Sequence, residues 1–547
     1  MLRLVGLPLF WWCGASAQVT TDWVASFNGL ASNADHAYTM TVDRQGNVLV
    51  AGEARTGVST DDIDYAIVKY ASDGDTLWIQ YFNGTGNKRD IVRSLAVDDS
   101  ENVYVTGESY GTANYDILTV KFDADGNVQW SKRYDGPAGG EDGGAAVAVS
   151  SSGEVFVTGY SDGNPSPVLR QDDLVLLKYD RDGIPLWTRR YDGPAGFHDV
   201  PHALAVDSAG NAYVAGESAG SGTGYDYLTL KFSASGDSLW GDRFTGTSTD
   251  KAMALWLDKS GNAYVTGSTV AGSNEDYATI KYSSNGAVLW TASYSGPGGG
   301  DDAFAIVGDD RGSVYVTGES RGPGPTYSYD YLTIRYDALS GDTIWTARYD
   351  GEGKGFDAAL SIAVDHKGNV FVTGYSTGNS SGSDFATVAY DSMGLLRWAE
   401  RYTSAGSFSD IAVGVDLDTA GHIYVAGRAH GGVELSNFVT IRYTDTGSPV
   451  SATSKDGQRP EEFFLGGNYP NPFNPVTTIE FSLPKTARVR LAVYDMLGRE
   501  VAILVDRELV AGRYSAAWDA AAQASGVYVY RMEAGGFVAS KKLTLIK

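Results

Sequence analysis

Along most of the chain, apolar and polar residues alternate in short runs bounded by Gly, Asp or Asn. The runs are rich in β-branched and aromatic residues, and a period of two in such runs predicts strands. No stretch of this region sustains a helical period, so helix is expected to be almost absent. Four runs return in one order. In a representative unit they are Trp187-Thr-Arg-Arg-Tyr, Asp199-Val-Pro-His-Ala-Leu-Ala-Val-Asp, Gly210-Asn-Ala-Tyr-Val-Ala-Gly-Glu-Ser and Asp226-Tyr-Leu-Thr-Leu-Lys-Phe. The tryptophan recurs as Trp23, Trp78, Trp130, Trp187, Trp240, Trp290, Trp345 and Trp398. Four short antiparallel strands repeating at about 50 residues predict the blades of a β-propeller. One such unit cannot cover both faces of its sheet, so its neighbours must do so. The Ala-Val-Asp and Val-Tyr-Val-Thr-Gly runs are apolar over most of their length, as strands buried on both faces are.

The phase of the repeat predicts how the ring closes. Let A, B, C and D denote the runs of the Asp199, Gly210, Asp226 and Trp240 types. The chain begins in phase D, at Trp23–Phe27, and the repeats end in phase C, at Asn437–Tyr443. The last A-B-C set lacks a fourth strand, which the N-terminal run can supply, removing two open sheet edges. Counted this way the fold is all-β, an eight-bladed β-propeller over residues 18–445, with seven blades as the alternative if one unit lies outside the ring.

The pattern W-x-x-x-Y-x-G, then D-x-A-x-A-L-A-V-D-x-x-G-N-x-Y-V-T-G, then D-Y-x-T-x-K-Y resembles the SBBP ("seven-bladed β-propeller") repeat of secreted bacterial proteins over about residues 20–445. The resemblance implies the propeller fold and no common activity. The family name says seven where this chain shows eight units, so the blade number stays open at this point.

Composition narrows the partners. The 547 residues carry 42 Lys+Arg against 67 Asp+Glu, a net charge of −25, which repels phosphate backbones and argues against nucleic acid. Residues 1–17 hold Arg3, an apolar run and then Ala15-Ser16-Ala17, which predicts a secretory signal peptide. The single cysteine, Cys13, lies within it, so cleavage there leaves no disulfide, no Cys-ligated zinc and no thiol nucleophile. No later run is long and apolar enough for a transmembrane helix.

Residues 446–462 read as a polar linker, and residues 463–547 as short alternating strands that predict a small immunoglobulin-like β-sandwich. This module resembles the type A C-terminal sorting domain of the type IX secretion system. The matching residues are Asn468, Tyr469, Pro470, Asn471, Pro472, Phe473, Asn474 and Pro475, then Tyr494, Asp495, Gly498 and Arg499, then Gly526 and Tyr528. The resemblance implies a partnership with the type IX machinery and delivery outside, or to the outer-membrane surface of, a Gram-negative-type bacterium.

In this strand order the D–A and B–C loops share one face. The B–C loops vary most, and variable loops on a rigid scaffold are where binding is expected. Asp35, Asp90, Asp142, Asp199, Asp250, Asp301, Asp357 and Asp410 each open an A strand on that face. Asp64, Asp116, Asp173, Asp226, Asp276, Asp330, Asp384 and Asn437 open the C strands. The A-strand set could form an acidic ring that holds a cation such as Ca²⁺. Alternatively each Asp accepts N–H bonds from its own Gly-rich loop. Recurrence once per unit favours the second, because a catalytic site needs asymmetry. No other cofactor is expected. The Asp-x-Asp-Gly turns at Asp123 and Asp180 lack the further ligands of an EF-hand loop and are expected to be hairpin turns. His198 and His202 could share a strand face as a metal pair, but no third ligand is evident. The D-strand tryptophans are expected to pack between blades rather than to stack sugars. No zincin or P-loop motif is present. The chain therefore predicts a binding, adhesion or scaffold propeller with a polysaccharide or protein ligand on the D–A/B–C face. The alternative is a secreted polysaccharide hydrolase or lyase with its site in the funnel, and a passive spacer is a third possibility.

Overall fold

The computed structural model describes residues 19–446 except 32–33, 58, 60, 164–170, 273, 323–327, 380–381, 405–407 and 431–435, and residues 463–546 except 470–472, 474–475, 510–511 and 521–522. The signal peptide (1–17), nearly all of the linker (446–462), and Pro470, Asn471, Pro472, Asn474 and Pro475 lie outside the described residues. Val19–Thr446 forms one compact unit, and the sandwich strands lie in a second.

The first unit is eight four-stranded antiparallel sheets. Seven are continuous meanders, such as His36–Val42, Val48–Arg55, Ile63–Tyr70 and Thr76–Phe82. The eighth pairs the N-terminal strand Val19–Phe27 with Ser436–Asp445, then Ile423–His430 and Ile411–Leu417. Its register runs from Val19 opposite Asp445 to Phe27 opposite Phe438. Phe27, Phe438, Tyr424 and Ala426 share one apolar cluster with Val48, Val50 and Val68 of the first blade, which closes the ring at eight.

The apolar runs dictate this packing. Strands B and C are buried along almost their whole length, because each meets a neighbouring blade on both faces. Strand D alternates exposed and half-buried positions, as an outer edge does. Its tryptophans lie between blades. Trp78 Nε1 donates to Ala124 O (3.0 Å), Trp187 Nε1 to Ala234 O (3.1 Å) and Trp345 Nε1 to Ser392 O (3.2 Å), in each case a C–D turn of the next blade. The closing strand follows the rule, with Trp23 Nε1 on Ser72 O at 3.0 Å. Lysines of strand C reach the same carbonyls, such as Lys178 on Ala234 O at 2.9 Å.

Every A strand carries a bulge three residues after its opening Asp, for example between Val92 and Ser94 and between Pro201 and Ala203. The bulge brings the A-strand carbonyl onto the glycine of the Val-Thr-Gly or Val-Ala-Gly run opposite. A Cβ at Gly107 would overlap Ile91 O, and one at Gly216 would overlap Val200 O. That overlap explains why this strand position is Gly in all eight units. Gly107→Ala is expected to cost about 1–3 kcal/mol through overpacking. Urea unfolding checks it, and an unchanged midpoint would refute the close-approach explanation.

The second unit is a small two-sheet sandwich. One sheet is Phe464–Tyr469, Val476–Leu483 and Gly512–Asp519, and the other is Glu500–Leu509, Ala487–Tyr494, Gly526–Ala534 and Phe537–Leu545. Ile479, Phe481 and Trp518 of the first meet Val489, Leu491, Tyr530 and Leu543 of the second in one core. Phe473 packs in this core on Trp518, and Asn468 is buried.

Candidate functional site

The eight A-strand aspartates stand at the D–A loop face, and all eight are fully buried. Each accepts a backbone N–H from the start of its own loop. Gly29 donates to Asp35 (2.6 Å), Gly84 to Asp90 (2.6 Å), Gly136 to Asp142 (2.6 Å) and Gly193 to Asp199 (2.6 Å). The other four repeat the bond: Gly246 to Asp250 (2.5 Å), Gly296 to Asp301 (2.5 Å), Gly351 to Asp357 (2.6 Å) and Ser404 to Asp410 (2.7 Å). Several take a second N–H from the end of strand B, as Arg55 gives Asp35, Val270 gives Asp250, Thr377 gives Asp357 and His430 gives Asp410. One carboxylate thus closes the D–A loop and, in these blades, pins it to the end of strand B where the B–C loop starts. Burial raises Asp35, Asp199, Asp301 and Asp357 above the ordinary carboxylate range, and lifts Asp90 and Asp142 to about 6.

The C-strand set has a partner that the sequence pattern missed. An arginine three residues after the tryptophan reaches back across strand C. Arg133 meets Asp116 (2.8 Å), Arg190 Asp173 (2.8 Å), Arg243 Asp226 (2.6 Å), Arg348 Asp330 (2.8 Å) and Arg401 Asp384 (2.7 Å). The same arginines donate to a strand-B serine, as Arg133 does to Ser109 Oγ (2.6 Å) and Arg401 to Ser376 Oγ (2.6 Å). In the fourth blade the chain continues to the ring, because Ser218 Oγ donates to Asp199 and accepts from Arg243. The missed signal was Trp-x-x-Arg in five of eight units; Ser26, Tyr81 and Ser293 take the place in the rest.

Among the described residues, three acid groups place carboxylate oxygens within 4.8 Å of one another: Asp116 with Asp135 and Asp142, Asp173 with Asp192 and Asp199, and Asp330 with Asp350 and Asp357. An all-oxygen set of this kind suits a hard cation such as Ca²⁺. Each group already faces an arginine, which neutralises part of its charge.

Where the repeat breaks, other chemistry gathers. Asp302 and Glu319 stand opposite each other on strands A and B of the sixth blade, and Glu275 adjoins them from the fifth. Burial first, and then Asp302 and Glu275, push Glu319 up to about 7. Doubled acids at Glu275-Asp276 and Asp301-Asp302 were the sequence signal. In the first blade Glu53 accepts from His36 (2.9 Å), Tyr38 (2.9 Å) and Arg89 (2.9 Å). Burial alone would raise Glu53, but these bonds outweigh it and hold it near 2.

The two histidines of the fourth blade part company. His198 Nδ1 pairs with Asp172 at 2.9 Å, while His202 occupies the bulge and lies 3.9 Å from Glu217. The bulge breaks the period of two that would have aligned them. The same loop face carries exposed aromatics. Phe197, Phe356 and Phe408 are 56%, 51% and 40% exposed, each just before a ring aspartate. Phe356 stacks on Tyr329 at 5.8 Å, Phe408 on His430 at 4.1 Å, and Lys88 lies 4.0 Å over Tyr110.

The second unit matches the secretion system C-terminal sorting domain over residues 468–547. The beta-propeller repeat matches at residues 77–116, 190–222 and 361–380, within blades the structure also shows. The chain carries SBBP β-propeller repeats and a type IX secretion C-terminal sorting domain. A sorting domain of this type implies contact with the secretion machinery and delivery to the surface or outside of a Bacteroidetes-type bacterium. No curated protein matches this chain. Among solved structures it aligns with quinohemoprotein alcohol dehydrogenase ADHIIG from Pseudomonas putida HK5 at 12% identity, covering 81% of this chain and 80% of that one, with a TM-score of 0.44. Sqt1 from Chaetomium thermophilum aligns at 9% identity over 78% of this chain and 100% of that one, with a TM-score of 0.49. PorZ, a surface component of the type IX secretion system of Porphyromonas gingivalis, aligns at 12% identity over 93% and 81%, with a TM-score of 0.31. None of these likenesses bears on what the SBBP propeller binds.

Proposed function

We propose that the exported propeller is a binding module that holds a polysaccharide on its D–A/B–C loop face. The observation that carries this reading is the set of exposed phenylalanines on D–A loops that the ring aspartates hold rigid. Sugar rings offer apolar C–H faces to aromatics and hydroxyls to carboxylates, and this face supplies both, the accessible carboxylates being Asp135, Asp192 and Asp350 beside the buried ring. The triple variant Phe197→Ser, Phe356→Ser, Phe408→Ser is expected to lose at least about tenfold in glycan affinity, or roughly 1.4 kcal/mol. Because the side chains are half exposed and lose only the Tyr329 and His430 stacking, its melting temperature should fall only slightly. Titration against a polysaccharide panel checks it, and equal binding by the variant would sink the proposal.

A second reading has its own observation. Glu319, pushed up to about 7 by burial beside two other acids, has the character of a general acid, and paired carboxyls of unequal pKa perform glycoside hydrolysis. On this reading, Glu319→Gln should abolish release of reducing sugar while leaving glycan binding intact.

A further inference from the structure

One turn geometry recurs through the chain. An Asp side chain accepts the N–H groups two and four residues on, and a Gly or another residue closes the hairpin. Among the described residues the propeller uses it at Asp43, Asp98, Asp207, Asp258, Asp309, Asp365 and Asp418 between strands A and B. It uses it again at Asp123, Asp180 and Asp391 between strands C and D. Most of the central residues of these turns are exposed, and nearly all are polar or small, as Arg44-Gln45 and Lys259-Ser260 are. Met393 is the one large apolar residue among them, and it is 36% exposed.

The sorting domain builds the same turn at Asp495. Leu497 N–H and Arg499 N–H donate to Asp495 Oδ1 at 2.9 Å each, Gly498 adopts a φ of +79°, and Arg499 Nε closes the ring on Asp495 Oδ2 at 2.7 Å. Here the two central residues are Met496 and Leu497, which are 65% and 79% exposed. In the propeller such a turn holds at most one large apolar side chain, as at Met393 and, in the related turn at Asp337, at Leu339 (86% exposed), whereas here two adjacent ones stand out in solvent. It holds them firmly, at the tip of the hairpin joining Ala487–Tyr494 to Glu500–Leu509. Around them stand Arg499, Asp495, Glu500 and Arg490, the last two bridged at 2.8 Å. An apolar centre within a charged rim is the anatomy of a protein–protein contact, and a preorganised tip loses little freedom on docking.

We propose that Met496 and Leu497 form the knob by which this domain docks into an apolar pocket on a protein of the secretion machinery. The inference deepens the reading of residues 468–547 as a sorting domain and rests on it. The occupant is a protein rather than a lipid surface. Both arginines beside the tip are already paired, Arg490 with Glu500 and Arg499 with Asp495, so the tip offers no free basic cluster to anionic headgroups.

The test is export of the full chain from a bacterium that carries a type IX system. Met496→Ser with Leu497→Ser is expected to lower the surface and medium fraction at least tenfold and to leave folded protein in the periplasm. The exchange Met496→Leu with Leu497→Met, which keeps the apolar knob, should export as the parent does. If both variants export normally, the knob is not the docking element. If both fail while their melts match the parent, the turn tolerates no change and the apolar reading is wrong. If the parent itself stays in the periplasm, the sorting assignment fails before the knob is tested, and with it the inference. Purified full chain that sediments with outer-membrane lipid vesicles, and loses this in the double Ser variant, would make the occupant lipid and overturn the proposal.

Discussion

Acidifying the propeller from pH 8 to pH 5 is expected to raise its melting temperature, on the order of 5 °C, instead of lowering it. The carboxylates raised by burial set the sign. Asp90 and Asp142 sit near 6 and Glu319 near 7, and Asp35, Asp64, Asp116, Asp199, Asp301 and Asp357 move in the same direction. A group whose pKa is higher folded than unfolded binds more protons in the folded state. Its stabilisation is full below the unfolded pKa and is lost as pH rises through the folded one. For these groups that loss falls between about pH 4 and pH 7. Groups of the opposite kind, Glu53 near 2 with Asp207, Asp337 and Asp418 also lowered, lose their contribution only below about pH 4.5. Stability should therefore peak near pH 5 and fall on either side. Thermal melts at fixed ionic strength decide it; a flat or falling profile from pH 8 to 5 would mean the ring aspartates are better solvated than their burial indicates.

Removing residues 19–27 should have the largest effect of any short deletion. The strand pairs with Ser436–Asp445 along its whole length, and Trp23 caps the first blade at Ser72 O. Without it the eighth sheet has a bare, apolar edge and the first blade loses its cover. Deleting it is expected to abolish cooperative unfolding and to yield oligomers in size-exclusion chromatography. A synthetic peptide of Val19–Phe27 should restore the monomer by strand addition. A deleted chain that stays monomeric with the parent's melting temperature would show that closure contributes little.

The blade count and the closing strand were legible because the determinants are local: a Trp, an Ala-Val-Asp run and a Val-Thr-Gly run fix the phase of each unit. The bulges were not, because a residue such as His202 or Arg93 carries no mark of standing outside the ladder; only its Gly partner opposite hints at it. The arginines were hidden for another reason. Arg133 and Arg243 lie on the outer strand, where charge is unremarkable, and their partners lie 17 residues back in sequence. The Glu275–Asp302–Glu319 group was lost among 67 acidic residues, since only folding brings three separate strands to one junction.

The closing blade also decides how the molecule bears load. Strand Ser436–Asp445 starts at the loop face and ends at the face of the A–B turns, where the chain leaves the propeller. It is flanked on both sides, by Val19–Phe27 and by Ile423–His430. A ligand pulling on the loop face of a propeller held by its C-terminus would draw this strand along its own axis. Both ladders would then resist together in shear, instead of opening one bond at a time as a peeled edge does. The strand Val19–Phe27, which lies off that line of force, acts as the second jaw of that grip.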